Sequence, residues 1–117
     1  MKTLFAAFAA LSLLLVAAPA FAGEDGKAVF GTYCGTCHGA EGAGDGAAAA
    51  GLDPKPANLN EAEFWKTRDE ASIRKVVTEG GAAVGKSPLM AAWGAVLSKE
   101  QLDAVVKYVV SKKPAKK

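Results

Sequence analysis

The sequence predicts a single small all-α domain. Three observations carry this prediction. No alternating run of strand character occurs, helix-start signals recur along the second half of the chain, and both cysteines and the one histidine fall within Cys34-Gly35-Thr36-Cys37-His38. Two thiols three positions apart share one face of a helical turn, so this segment is itself read as helical.

The chain of 117 residues opens on an export signal. Lys2 supplies the positive start, Leu4 to Val16 the apolar stretch, and Ala20-Phe21-Ala22 a cleavage site. The apolar stretch is shorter and richer in alanine than the roughly 20 apolar residues that span a bilayer. Cleavage after residue 22 would leave 95 residues, 23–117, released into the periplasm of a Gram-negative bacterium with no integral membrane segment. A domain of that size buries little core and usually needs a staple. Removing Lys2 leaves 13 basic against 12 acidic residues, a net charge of +1. Lys112, Lys113, Lys116 and Lys117 crowd the C-terminus, and without them the body is 9 against 12, or −3. Nothing in this balance argues for nucleic acid.

Glu24 and Asp25 suit the positive end of a first helix. Phe30, Tyr33, Cys34 and Cys37 follow at helical spacing, with Gly26 one turn earlier on the same face. Residues 39–51 are almost entirely glycine and alanine, and no flanking strand makes them a phosphate loop. They are expected to be a flexible connection over one edge of the site. Pro54 to Leu59 stiffens the chain into an extended wall. Three helix starts come next: Asn60 with Glu63 before Phe64 and Trp65, Thr67 with Glu70 before Ile73, Val76 and Val77, and Ser98 with Gln101. Gly80-Gly81 stops the second of these. Leu97 and Leu102 form a possible staple for the last, which presents Leu102, Val105, Val106 and Val109 as an apolar stripe, with Asp103 and Lys107 paired outside.

C-x-x-C-H is the attachment sequence of a c-type haem. Cys34 and Cys37 would form the two thioethers, and His38 would present its imidazole to the iron. A C-x-x-C pair also serves thiol–disulfide exchange, zinc binding or a plain disulfide. Three Cys and His residues are too few for a closed zinc site, and no βα alternation supports a thioredoxin-like domain. Only Met1 and Met90 are available as thioethers, Met1 would leave with the signal, and no second histidine exists. Met90, in Lys86-Ser87-Pro88-Leu89-Met90, is therefore the expected distal ligand. A soft, neutral thioether favours Fe2+ over Fe3+, which suits electron transfer.

Together, Cys34-Gly35-Thr36-Cys37-His38-Gly39, the Pro54 to Leu59 segment and Pro88-Leu89-Met90 with Trp93-Gly94 resemble a small bacterial class I c-type cytochrome, monohaem and His/Met ligated. The resemblance spans residues 23–117 and implies a small cytochrome c fold, three to five helices wrapped around one covalently attached haem c. It implies that the terminal helices cross through Gly26, Phe30 and Tyr108, and that Asn58 and Trp65 contact the haem propionates. Members of the family best known from eukaryotes ring the haem edge with lysines, whereas this body is mildly acidic.

The leading expectation is a monomeric one-electron carrier, not an enzyme, between periplasmic redox protein partners. The alternative is a subunit through which electrons enter a larger oxidase or reductase, or peroxidase-like activity if Met90 dissociates. A haem-free thiol–disulfide oxidoreductase forms a third class. The lysine tail is expected to be a disordered solubilising end or a docking patch.

Overall fold

The structure, a computed structural model, describes residues 24–116. The expected signal segment 1–22, the new N-terminus at Gly23 and the last lysine lie outside the described residues. Within them the fold is all-α, with five α-helices and no strand.

Helix α1, Gly26–Tyr33, begins where Asp25 accepts a hydrogen bond from the Lys27 backbone N–H at 3.0 Å. It breaks at Cys34 and resumes as the single turn α2, Gly35–His38, which Gly39 ends at φ 83°. Helix α3 is Ala62–Trp65, α4 is Glu70–Glu79 and α5 is Lys99–Val110. Single 3-10 turns occupy Ala49–Gly51, Ala82–Val84 and Trp93–Ala95.

The core forms where α1 crosses α5. Phe30, Val105 and Val106 are its most enclosed large side chains, and the Phe30 and Tyr108 rings meet at 5.2 Å between centroids. Gly26 makes the crossing possible, because a Cβ there would run into the Ala104 carbonyl and Tyr108. Truncating a buried aromatic such as Phe30 to Ala typically costs about 3–5 kcal/mol, and this one joins the two terminal helices. Ile73 and Val77 bring α4 onto the same core.

Several local expectations change. The Ser98–Gln101 capping box forms in both directions. The box on α4 is instead Asp69 with Ser72, since Asp69 occupies the N-cap and its carboxylate accepts from the Ser72 N–H at 2.8 Å. Helix α3 starts from Glu61 without a side-chain cap, and the Asn60 amide donates to the Glu41 carbonyl. Asp103 pairs with Arg74 of α4 at 2.6 Å and with Lys99 at 3.3 Å rather than with Lys107. The cross-helix guanidinium wins because α4 packs directly on this face of α5.

The glycine-rich segment is also tied down more closely than its composition suggests. The backbone N–H groups of Gly44, Gly46 and Ala48 donate to the carbonyls of His38, Cys37 and Thr36, which a helix end would otherwise leave unpaired. It lies behind the Cys-Cys-His turn, and none of residues 39–51 lines the cavity beyond that turn. The tail is anchored at its start. Lys112 is largely buried, donates to Glu41 at 3.2 Å and sits 4.9 Å from the centre of the Tyr108 ring.

Candidate haem site

A cavity of about 620 Å³ opens between the helices, within the usual range for cofactor and ligand sites. The break between α1 and α2 aims Cys34, Cys37 and His38 into it, with Phe30 behind them. Pro54, Pro56 and Leu59 form the extended wall predicted for this segment. Ile73, Val76 and Val77 of α4 form a second wall. Met90 and Trp93, from the segment after α4, line it as well, so His38 and Met90, 52 positions apart, face one enclosure.

Met90 reaches that place through the loop after α4. The Gly81 N–H donates to the Met90 carbonyl at 2.9 Å, and the Met90 N–H donates to the Ser87 carbonyl at 3.3 Å. A Cβ on Gly81 would collide with the Ser87 carbonyl and press on the Met90 Cβ. Glycine is thus required there for the loop to fold back on the helix end. The Tyr33 and Trp93 rings, 5.4 Å apart, tie the loop to α1.

Burial shapes the titration of the motif. It pushes the Cys34 thiol up to about 11, and neighbouring Cys37 adds to the rise. A thiol in that state is protonated at neutral pH, the reverse of the lowered value that activates a nucleophilic C-x-x-C cysteine. Burial lowers the His38 value, which keeps the imidazole neutral and its lone pair available to a metal. His38 Nδ1 is buried with no hydrogen-bond partner, which leaves Nε2 as the nitrogen available to a guest in the cavity.

The donor set fits a haem better than a bare ion. No cluster of three or more His, Cys, Asp or Glu able to hold a metal exists among the described residues. One imidazole and one thioether in a largely apolar enclosure instead suit a flat macrocycle that brings its own equatorial nitrogens. The two thiols at C-x-x-C spacing provide its attachment points.

The family described as cytochrome C oxidase, cbb3-type, subunit III matches residues 21–109. The chain belongs to this family. This subunit III family membership covers α1 through nearly all of α5, including every cavity residue named above. Among solved structures, a chain of the Kuenenia stuttgartiensis reducing HAO-like protein complex Kustc0457/Kustc0458 is similar, with a TM-score of 0.62 and 28% sequence identity. The match covers 76% of this chain and 41% of that one, so this subunit III family member spans less than half of the length of that chain. No curated protein matches the sequence. The chain is therefore a small all-α protein of c-type cytochrome character, related to oxidase and HAO-like redox proteins.

Asn58 and Trp65, which the resemblance places near the propionates, make contacts within their own segment. Asn58 donates to Glu61 at 3.2 Å and accepts from the Asn60 N–H, and the Trp65 indole donates to the Leu59 carbonyl at 2.8 Å. Neither lines the cavity. Sequence reasoning missed the charged residues that do: Lys55, Arg68, Lys75 and Lys86. No local pattern could have found them, because each comes from a different segment.

Proposed function

We propose that this subunit III family member is a one-electron transfer module, with Cys34 and Cys37 as thioether anchors, His38 as proximal ligand and Met90 as distal ligand of one haem c. The observation that carries this reading is the convergence of His38, Met90 and both thiols on one largely apolar cavity. A haem held there would supply one-electron Fe2+/Fe3+ chemistry. The protein's part is to hold it. The two thiols fix its edge, neutral His38 offers a nitrogen, and the Gly81-braced loop presents the Met90 sulfur. The apolar walls disfavour the extra charge of the oxidised state and so raise the potential. In this role the chain passes electrons and transforms no substrate of its own.

The better supported setting is a larger oxidase or reductase assembly, with this chain as the subunit through which electrons enter. Both the matched family and the similar solved chain carry the names of multi-subunit redox complexes. A freely diffusing periplasmic carrier is the second reading, for which Leu89, 66% exposed at the cavity, would offer a brief apolar contact. Purification of the holoprotein from its native host at mild ionic strength, followed by native mass analysis and redox potentiometry, separates these settings. Co-migration with other redox subunits supports the assembly, and a lone reversible species supports the carrier. A pyridine haemochrome assay showing no covalent haem overturns both.

A further inference from the structure

Among the paired cations of the described residues, Lys112 is the one that the fold encloses. Its side chain is 15% exposed, against 67% for Lys66, 38% for Arg74 and 84% for Lys99. It follows the end of α5, past residue 109 where the family match stops. Two groups fix its ammonium. The carboxylate of Glu41, from the turn just after His38, accepts from Nζ at 3.2 Å, and the Tyr108 ring has its centre 4.9 Å away. The turn that carries Glu41 is itself held, because the Glu41 carbonyl accepts from the Asn60 amide and the Leu59 N–H donates to the Gly42 carbonyl at 2.7 Å. Enclosing a cation costs desolvation free energy, which a tail serving only solubility would avoid by leaving every lysine in water.

From Lys112 the contacts lead inward. The Tyr108 ring centre stands 5.2 Å from that of Phe30, and Phe30 stands 6.3 Å from the His38 ring. Phe30 is only 1% exposed, so the way from ammonium to imidazole runs through aromatic rings rather than water. A charge acting through such material is screened far less than one acting through solvent. Glu41 cancels only part of it, because that carboxylate is 69% exposed and screened on its outer side.

We propose that Lys112 sets the reduction potential of the His38 site: its ammonium, fixed behind Phe30 by Glu41 and Tyr108, disfavours the extra positive charge of Fe3+. This rests on the electron-transfer reading of the cavity and adds a positioning residue that tunes the site without lining it. The lysines that do line the cavity, Lys55, Lys75 and Lys86, are exposed, so solvent and salt weaken their fields. The basic tail therefore divides into one enclosed charge that acts on the site and exposed ones, Lys113 and Lys116, that do not.

The test is redox potentiometry of three holoprotein variants. K112M keeps an apolar stem over Tyr108 and removes the charge, K112R keeps a charge that stacks on a ring, and K113M removes an equal charge from the exposed neighbour. Against a one-electron mediator of fixed potential, K112M should shift the equilibrium towards the oxidised protein on the order of threefold. K112R and K113M should stay close to wild type. The K112M shift should persist in about 1 M salt, where exposed charges are screened within about 3 Å, and the sulfur-to-iron absorption band should be retained throughout. K112Q, whose amide can still meet Glu41, takes the place of K112M if that variant loses its haem.

A wild-type potential in K112M overturns the proposal even where its urea midpoint falls, since Lys112 would then only anchor the tail. So does a shift matched by K113M, a shift that vanishes in salt, or one accompanied by loss of the sulfur-to-iron band, which would trace it to a displaced Met90. Absence of covalent haem from the wild type by pyridine haemochrome fails the electron-transfer reading and the proposal with it. Haem present with an unmoved potential fails the proposal alone.

Discussion

On the His38 side of the cavity, the imidazole sits in a helical turn whose three last carbonyls are taken up by the following loop. On the Met90 side, the thioether sits in a loop where two backbone hydrogen bonds hold Met90, one of them from Gly81, with exposed Leu89 beside it. The first side is built from neighbours in the chain and would be further fixed by two covalent bonds to the haem. The second exists only because α4 ends where it does and the chain folds back over that end. The difference teaches that the proximal side is rigid by local chemistry, whereas the distal side depends on packing and is the one that can be loosened.

Replacing both thiols, Cys34→Ala with Cys37→Ala, should break the rigid side outright. The expected outcome is no covalently retained haem by pyridine haemochrome and loss of cooperative unfolding, since a small domain loses its staple. Met90→Ala should spare attachment and change only the distal side. Its potential should fall by on the order of a hundred millivolts or more, within the roughly 0.8 V that axial ligands command, with loss of the sulfur-to-iron absorption band. An unchanged spectrum and potential would remove Met90 from its role.

Gly81→Ala tests whether the loop needs its close approach. It should lower stability by about 1–3 kcal/mol, as overpacking does, and weaken the sulfur-to-iron band while the haem stays attached. A wild-type denaturation midpoint and band would show that the loop has room to spare.

The smallest effect is expected far from both sides, at Asp103. The hydrogen bond from Arg74, and then that from Lys99, holds its carboxyl below the usual range. Such a group stabilises the fold above its unfolded value, and the contribution is lost as pH falls through the lowered folded value. Asp103→Asn should therefore be slightly less stable than wild type near neutrality and converge with it on acidification. Urea midpoints measured across that acid range would check this, and parallel curves would refute it.

The Cys34 to His38 turn, the Ser98 cap and the stripe on α5 were legible because each depends on residues within one or two turns of each other. The crossing at Gly26 was legible only through family resemblance, since periodicity cannot say what passes over a glycine. The Asp69–Ser72 cap was missed because Thr67-Glu70 offers the same pattern two residues earlier. Arg74 displaced Lys107 as the partner of Asp103 because a neighbouring helix is invisible to spacing along one helix. The glycine loop looked flexible by composition, yet the open carbonyls of α2 capture its N–H groups.

By itself the sequence named the candidate cofactor, its candidate anchors and the two candidate axial ligands, because covalent attachment needs a contiguous motif and only one histidine and one thioether remain in the expected mature chain. The tertiary structure decided that His38 and Met90 share a single enclosure, and that four cations from four segments meet at its walls. Those are properties of distance, and residues 7 to 52 positions apart on different segments acquire such distances only when the helices pack.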